Sequence, residues 1–398
     1  MKRTARAKMP QVAILLESSH GVSRAMLQGI LKYVRVYGPW SLNTWDGGTS
    51  DIQMPDLRLW RGTGIVGRVT RAALARAIAD SRLPAVLVNP SDAYLKPSHP
   101  LAACSRTRSD SPAIGRLAAD FFLGKPFSHF AFVGEVAGIS WSLARQEAFA
   151  SRLAEAGKGC HVYPLPPKRL AGRDSERPLL CAWLSGLPKP VAIFAANDHR
   201  ARQVLDACLV AGVAVPYEAA VLGVNNDELV CETCIPPLSS IAVDAERAGY
   251  EAARMLDERM RRTARHQEIF TYGPAGVVSR ASTDVLHVED RLVIRALEFI
   301  RINGGLTIRV SDVAEHLGVS CRWAEMRFQQ TLGSSVHDAI RRARMATVCA
   351  MLKETDLPLS AISKKSGFAH HNHLCALFKR QFGTTMSDYR LRAQGEPR

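Results

Sequence analysis

Short apolar runs rich in β-branched residues alternate with segments of helical periodicity from Val12 to Arg262. The apolar runs predict strands at Val12–Leu16, Ser41–Trp45, Ile65–Val69, Ala85–Val88, Phe130–Val133, His161–Leu165, Val191–Ala195, Ala220–Val224 and Leu238–Val243. The helical segments are Ser23–Tyr37, Arg71–Asp80, Ser111–Phe122, Leu143–Ala156, Pro178–Ser185, His199–Ala211 and Asp244–Arg262, with Thr70, Ser109 and Ser140 as predicted N-caps. This alternation favours parallel sheets that are covered by helices on both faces.

Two interruptions divide this region into two lobes. Pro90, Pro97 and Pro100 break the alternation before residue 110. Near residues 236–241, at Pro236-Pro237, we expect the chain to cross between the lobes for the second time. We therefore predict two doubly wound lobes separated by a cleft. Such a cleft collects the carboxyl ends of strands and the N-termini of helices around a small ligand.

The remaining chain has helical periodicity only. A short helix, Val310–Leu317, and a second helix, Cys321–Leu332, flank a glycine turn, and Leu359–Ser366 and His370–Phe382 repeat this arrangement after the long helix Val336–Leu352. Each pair predicts a helix-turn-helix unit whose second helix can enter the major groove of DNA. We predict a basic tail over residues 1–9, a two-lobed α/β domain over 10–285 and an all-helical domain over 286–398.

The charge balance favours a polyanionic partner. The 398 residues include 52 Lys and Arg against 37 Asp and Glu, a formal net charge of +15, and an excess of this sign is typical of nucleic-acid-binding proteins. No apolar run approaches the ~20 residues of a membrane span. The apolar stretch after the basic start is also too short for a signal peptide. We therefore expect a cytoplasmic protein without membrane contact.

The sequence contains only weak candidates for a metal site, a redox site or a dinucleotide-binding site. Cys231 and Cys234 form a CxxC without a second pair, and His370 and His373 lack a third ligand, so we expect reduced cysteines and no metal. Gly62–Gly67 matches the dinucleotide fingerprint GxGxxG, but no clear strand precedes it and its third glycine lies in a predicted strand. Without a nucleophile motif, we predict neither an enzyme nor a cofactor.

Motifs in the helical domain carry a family resemblance. They are Asp356–Ile362, Gly367-Phe368, Phe378–Gly383 and Ser387–Arg390, and over about residues 290–392 they resemble AraC-type transcription regulators. The resemblance implies that both units bind double-stranded DNA. Arginine can bond guanine bidentately, and asparagine can bond adenine in the same way. The residues that the resemblance assigns to DNA are Arg322, Glu325, Met326 and Gln329 on the first recognition helix, His371, Asn372 and Cys375 on the second, and Arg341, Arg342 and Lys379 at phosphates.

A second resemblance covers about residues 10–285. Ala196–Asp198, Val221–Asn226, Ile235–Ile241 and Val278–Thr283 resemble the sensor domain of LacI-type repressors, which is related in fold to periplasmic sugar-binding proteins. This implies a small sugar effector between the lobes. The expected ligand-binding residues are Glu17, Ser19, Arg24, Trp141, Arg145, Asn197, Asp198, Asn225 and Asn226. Asn225 departs from the aspartate that is usual in the family.

A LacI-like sensor followed by an AraC-like DNA-binding domain resembles pentose-responsive regulators. The resemblance implies a homodimeric activator that responds to xylose or a related pentose and contacts RNA polymerase. Two alternatives stay open. The sensor could bind another metabolite or no sugar, or the chain could be a sugar-binding protein whose helical domain contacts something other than DNA.

Overall fold

A computed structural model describes residues 9–44, 57, 59–69, 71–135, 139–166, 173–263, 266–284, 290–304, 307–368 and 370–395. Residues 1–8 of the predicted tail, the strand end Trp45 and the predicted N-cap Thr70 lie outside these ranges. The chain divides into two compact units, Met1–Val285 and Leu286–Arg398.

The first unit contains two six-stranded sheets, one in each lobe. In the first sheet the order is β11-β5-β4-β3-β1-β2, and in the second it is β12-β10-β9-β8-β6-β7. Neighbouring strands pair in parallel except for β10 and β12. The strands are β1 Gln11–Leu15, β2 Ser41–Thr44, β3 Gly64–Gly67, β4 Ala85–Val88, β5 Ser105–Ser109, β6 His129–Val133, β7 His161–Val162, β8 Val191–Ala195, β9 Ala219–Val224, β10 Ser239–Val243, β11 Ile269–Tyr272 and β12 Pro274–Val278.

Helices cover both faces of each sheet, so that each sheet separates two apolar cores. On β1, Val12 and Ile14 contribute to one core and Ala13 contributes to the other, as the two-residue period of a strand requires. The helices of this unit are α1 Gly21–Tyr37, α2 Ala72–Ser81, α3 Ser111–Leu123, α4 Ser140–Glu155, α5 Arg173–Gly186, α6 Asp198–Ala211, α7 Glu228–Glu232 and α8 Ala245–Met260.

Helices α1 and α8 pack so closely that two positions require glycine. A Cβ atom on Gly29 would lie 1.8 Å from the carbonyl oxygen of Glu246, and one on Gly249 would lie 1.9 Å from that of Met26. This contact attaches α8, the helix that follows β10 of the second sheet, to the first lobe.

Sequence reasoning missed three strands and misplaced two caps. Strands β5, β11 and β12 were not predicted. Asp110, not Ser109, is the N-cap of α3, since its carboxylate accepts the Ala113 N–H at 2.9 Å. Helix α4 begins at Ser140 itself, after Ile139, so Ser140 is not its cap.

The second unit is all-helical in the residues that are described. Its helices are α9 Arg291–Asn303, α10 Val310–Leu317, α11 Cys321–Leu332, α12 Val336–Glu354, α13 Leu359–Lys365, α14 His371–Phe382 and α15 Met386–Gly395. Gly318 (φ 70°) and Gly367 (φ 75°) lie in the turns of the two helix-turn-helix units, in the left-handed region that glycine adopts without steric cost. The predicted fold class, a two-lobed α/β domain followed by a domain with two helix-turn-helix units, is confirmed.

Candidate functional site

The two lobes of the first unit meet at Asp227, which directly follows the loop after β9. Its carboxylate accepts the backbone N–H of Gly21 at 2.7 Å and forms an ion pair with the guanidinium of Arg24 at 3.0 Å. Gly21 and Arg24 lie on α1 in the first lobe. Asp227 is only 5% exposed, whereas the Arg24 side chain is 39% exposed, so the acceptor of these charge-assisted bonds is buried and the Arg24 donor is partly solvated. The predicted site residue Arg24 therefore contacts the opposite lobe.

A second link between the lobes joins two histidines. His20 Nδ1 lies 3.2 Å from His199 Nε2, and His20 Nε2 lies 3.1 Å from the carboxylate of Glu17. The hydrogen bond from His20 is the main cause that lowers the pKa of Glu17. Glu17 was predicted to bind ligand, and in the structure it holds His20.

Arg145 of α4 is a buried cation whose donors are not all used. It is 4% exposed, donates from Nη1 to the carbonyl of Ala196, and lies with its guanidinium 4.8 Å from the ring centroid of Trp141. Its buried Nε has no hydrogen-bond partner within the described residues. Burial lowers the pKa of Arg145 to about 10, which leaves it charged at neutral pH. An unpaired buried donor of this kind costs free energy, which a hydrogen-bond acceptor would recover.

Asn197 and Asp198 stand between β8 and α6, where both were predicted to bind ligand. Asn197 is the N-cap of α6, because its Oδ1 accepts the N–H of Arg200 at 2.8 Å, and its Nδ2 donates to Glu135 at 2.9 Å. The alternative that Asp198 caps this helix is therefore wrong. These bonds leave Asn197 fixed at the end of the strand.

Asp198 is 1% exposed, and both of its carboxylate oxygens are engaged. They accept the hydroxyl of Ser240 at 2.5 Å and the backbone N–H of Asp227 at 2.8 Å. Burial raises the pKa of Asp198 to about 7, although both hydrogen bonds oppose the shift. Through its bond to the Asp227 N–H, Asp198 stabilises the loop that carries Asp227.

The two asparagines after β9 differ in their roles. Both have positive φ, 107° at Asn225 and 48° at Asn226. The amide oxygen of Asn226 accepts from Nη1 of Arg280 at 2.9 Å, so this side chain supports the loop. The side chain of Asn225 has no hydrogen bond to any described residue and remains available for a ligand. Ser19 is exposed, and its carbonyl accepts from Arg24 at 3.1 Å.

Sequence reasoning missed Asp227, Asn89 and Tyr272. Asn89 follows β4 just as Asn225 follows β9, so the search for polar residues at strand ends would have found it. Its Nδ2 donates to the hydroxyl of Tyr272 at 2.5 Å. Tyr272 lies on the unpredicted strand β11, and the nearby Arg145 belongs to the other lobe. The structure thus brings residues of both lobes to one site.

On the first recognition helix, α11, Arg322, Met326 and Gln329 are exposed. The predicted reader Glu325 is half-buried, and its carboxylate accepts the N–H of Val336 at 3.0 Å. Glu325 therefore caps the first turn of α12. This bond engages one of its two oxygens in a structural role that the sequence did not indicate.

On the second recognition helix, α14, Asn372 and Lys379 are exposed, whereas His371 and Cys375 are half-buried. His371 Nε2 lies 3.4 Å from Cys375 Sγ, so these two side chains contact each other. Within α12 and the turn before it, the predicted phosphate contacts have partners of their own. Arg341 donates to Asp338 at 2.5 Å and Arg342 donates to Ser334 at 3.3 Å.

Several other candidate sites find no support among the residues that the structure covers. No group of three or more His, Cys, Asp or Glu side chains there could hold a metal, and all nine cysteines are free thiols. Gly64–Gly67 forms β3 and α2 begins only at Ala72, so the GxGxxG sequence does not form the strand-to-helix turn that its mechanism requires. None of the described helices is both long and apolar enough to span a membrane.

Comparisons with known proteins match both units. A model described as a periplasmic binding protein-like domain matches residues 119–283, and a model described as a helix-turn-helix domain matches residues 313–392.

Similar proteins extend these matches over nearly the whole chain. The xylose operon regulatory protein of Escherichia coli K12 is 27% identical over 388 residues, which are 96% of this chain and 97% of the relative. That of Haemophilus influenzae is 26% identical over 96% of this chain and 98% of the relative. A solved structure of the xylose-binding transcription activator XylR has a TM-score of 0.83 and 26% identity, covering 96% of this chain and 98% of that one.

Proposed function

We propose that this chain, which is homologous to xylose operon regulatory proteins over 96% of its length, is a sequence-specific transcription regulator. It has a periplasmic-binding-protein-like domain followed by an AraC-type helix-turn-helix domain. Its effector is a small sugar, xylose or a related pentose, and it activates transcription. It acts as a homodimer that contacts RNA polymerase. It is not an enzyme.

The observation that carries the DNA-binding proposal is the pair of helix-turn-helix units with exposed polar side chains on both recognition helices. Arg322 on α11 and Asn372 on α14 are both exposed, and they are the residue types that read guanine and adenine in the major groove. We propose that Met326 and Gln329 contact the same groove as Arg322. Arg341, Arg342 and Lys379 contact phosphates, which contribute affinity without base preference.

The test is operator selection followed by binding measurements on variants. Selection from random duplexes is expected to yield a two-part site. Arg322→Ala and Asn372→Ala should each cost about 1–3 kcal/mol at their own part of that site and relax base preference there. Lys158→Ala, which removes an exposed cation from the first unit, is the matched control and should bind as the wild type does. Absence of duplex binding even at low salt, where phosphate contacts are strongest, would refute the regulator proposal.

The sugar proposal is supported by the donors and acceptors that are free at the cleft. The Nε of Arg145 is buried and unpartnered, the amide of Asn225 has no protein partner among the described residues, and Trp141 offers an aromatic ring beside Arg145. Hydroxyl groups can accept from the first and exchange bonds with the second. We propose that the effector binds these residues together with Glu17, Ser19 and Asn197.

Control of DNA binding follows from a population shift. A sugar that contacts both lobes binds their closed arrangement more tightly and therefore increases its population. Closure changes how the homodimer presents its DNA-binding domains, which couples the cleft to the operator. Only a ligand with different affinities for the two arrangements produces this coupling.

A thermal-unfolding screen against pentoses, hexoses and sugar alcohols identifies the effector. A ligand present at ~100 times its dissociation constant adds about 2.7 kcal/mol to the unfolding free energy, and Arg145→Met should abolish that shift. The neutral amide of Asn225 favours a second candidate, a sensor for a different metabolite. A shift with a non-sugar metabolite and none with any sugar would support that second candidate.

A further inference from the structure

Three side chains at the junction of the lobes form a connected series, which we term the histidine bridge. It consists of Glu17 and His20 in the first lobe and His199 at the start of α6 in the second lobe. The Glu17 carboxylate lies 3.1 Å from His20 Nε2, and His20 Nδ1 lies 3.2 Å from His199 Nε2. The two rings meet edge to face, with centroids 5.1 Å apart. None of the residues proposed to read DNA takes part.

The partners of His20 fix where its proton lies. Because a carboxylate only accepts hydrogen bonds, the Nε2 of His20 must carry the proton that is donated to Glu17. In the neutral ring Nδ1 is then an acceptor, and it faces the N–H on Nε2 of His199. The bridge is thus satisfied across the lobes when both imidazoles are neutral.

Added protons disrupt this arrangement. A first proton can be accommodated on either ring. On His199 it leaves the Nε2–H donating to His20 Nδ1, and on His20 it requires the neutral His199 to adopt the tautomer in which Nε2 accepts. A second proton leaves two N–H groups pointing at each other 3.2 Å apart, each on a cationic ring. That contact is repulsive, and separating the lobes relieves it.

The charges around the bridge act in both directions. On the side of the first lobe, Arg68 and Arg71 act on Glu17 and keep it ionised, so that it remains an acceptor for His20.

On the side of the second lobe, His199 faces a mixed set of charges. Arg202 and His20 disfavour its protonation, whereas Asp227 and Glu135 favour it. Partial burial is the largest influence, and the net effect is a lowered pKa for His199. Closure and protonation of His199 therefore oppose each other.

We propose that the histidine bridge is an acid-sensitive latch between the lobes, which stabilises their closed arrangement at neutral pH and releases it when both rings are protonated. The consequence for the effector rests on the proposed function, since it requires a ligand that binds between the lobes. Such a ligand is then bound more weakly in acid.

The direction of the effect follows from linkage. A histidine whose pKa is lower in the closed arrangement than the ordinary ~6.5 binds fewer protons there than when the lobes are apart. The latch therefore acts fully above about pH 7. It weakens progressively as the pH falls below the ordinary histidine value.

The backbone amide of Gly21 reports lobe separation directly, because it donates to Asp227 across the cleft. We would follow its hydrogen exchange in the full-length, ligand-free protein at pH 7.5 and 5.5, with the intrinsic exchange rate divided out. The protection of Gly21 in the wild type should be measurably lower at pH 5.5 than at pH 7.5, because the closed arrangement, in which the pKa of His199 is lowered, binds fewer protons.

Two variants and a control decide the outcome. In His199→Gln, the side-chain amide can donate to His20 without titrating, so the fall in protection should be largely abolished. His20→Asn removes the other titrating ring and should act likewise. His161→Gln, which changes an exposed histidine on β7, should behave as the wild type does. An equal fall in the wild type and in both bridge variants would overturn the proposal.

D-Xylose added at pH 7.5 separates this proposal from the proposed function. Increased protection of Gly21 would support a pentose effector that closes the lobes. If D-xylose has no effect, xylose is excluded as an effector that closes the lobes, and the pH series on the ligand-free protein still decides whether the latch exists.

Discussion

Arg200 and Glu176 form a buried ion pair inside the second lobe, with Nη2 and Oε1 2.5 Å apart and both side chains almost fully buried. The guanidinium also donates from Nε to the carbonyl of Gly134 at 2.8 Å, and its carbon lies 5.6 Å from the ring centroid of Tyr163. The pair therefore ties α5 and α6 to the end of β6, which is one edge of the cleft.

Glu176→Ala should destabilise the first unit strongly, because it leaves the buried Arg200 without a counter-charge. Removal of one partner of a buried pair costs about 3–5 kcal/mol. The matched control is Glu155→Ala, which breaks solvent-exposed pairs with Arg116 and Arg152 and should cost about 0–1 kcal/mol. Urea unfolding followed by circular dichroism measures both, and equal effects would mean that the buried pair is not the structural tie described here.

Gly249→Ala should disrupt the packing of α8 on α1. The added Cβ would lie 1.9 Å from the carbonyl oxygen of Met26, and this backbone atom cannot rotate away. We expect a loss of at least about 1–3 kcal/mol. Gly186→Ala, where a Cβ meets nothing within 4 Å, is the control and should leave the melting temperature nearly unchanged. A normal melting temperature for Gly249→Ala would show that the helices can separate without loss.

Asp198 should make the first unit less stable as the pH rises. Its pKa is about 7 in the folded protein and about 3.9 in an unfolded chain, so folding favours the protonated form. That contribution is complete below about pH 4 and is lost as the pH rises through 7. The difference in unfolding free energy between the wild type and Asp198→Asn, measured from pH 4 to 8, isolates this group from the histidines. A pH-independent difference would contradict the raised pKa.

Lys379→Ala should weaken binding to all duplexes about equally. An exposed lysine at a phosphate contributes affinity without base preference, so the slope of log K against log salt concentration should fall by about 1. The comparison with Asn372→Ala on the same helix is informative, because that variant should lose sequence preference instead. Unchanged salt dependence in Lys379→Ala would remove Lys379 from the proposed interface.

Glu325→Ala distinguishes a cap from a base contact. Its carboxylate accepts the Val336 N–H at the start of α12, and loss of a helix cap costs about 0.5–2 kcal/mol. We expect lower thermal stability of the second unit with unchanged base preference at the operator. Changed preference at the position next to that of Arg322 would restore Glu325 as a reader.

Strand β5 was missed because its buried face is polar. Strand β5 has the sequence SRTRS, and its inward residues Ser105 and Thr107 are buried. Ser105 accepts the side chain of Arg259 at 2.9 Å, and β5 pairs with β4 and β11. Because the apolar alternation is absent, only the tertiary pairing makes this segment a strand.

The candidate site, too, could be predicted only where local sequence patterns determine it. Arg145 and Asn197 could be proposed as cleft residues from the sequence, because strand ends and helix starts can be predicted from it. Asp227 could not be distinguished from other acidic residues, since its role depends on Gly21, a residue far away in the chain that reaches it across the lobes. Tyr272 was missed with its strand. Contacts between lobes require the tertiary arrangement, which periodicity does not contain.

Strand β11 completes the edge of the first sheet although it follows every parallel strand of the second sheet in the chain. The first lobe also depends on α8, whose alanines fill its core beside α1. A ribosome therefore releases the whole of the second sheet's parallel core before it supplies the last pieces of the first lobe. The first strands of the first lobe are therefore synthesised well before β11 and α8, with which that lobe is completed. No single cut in the chain separates the two lobes.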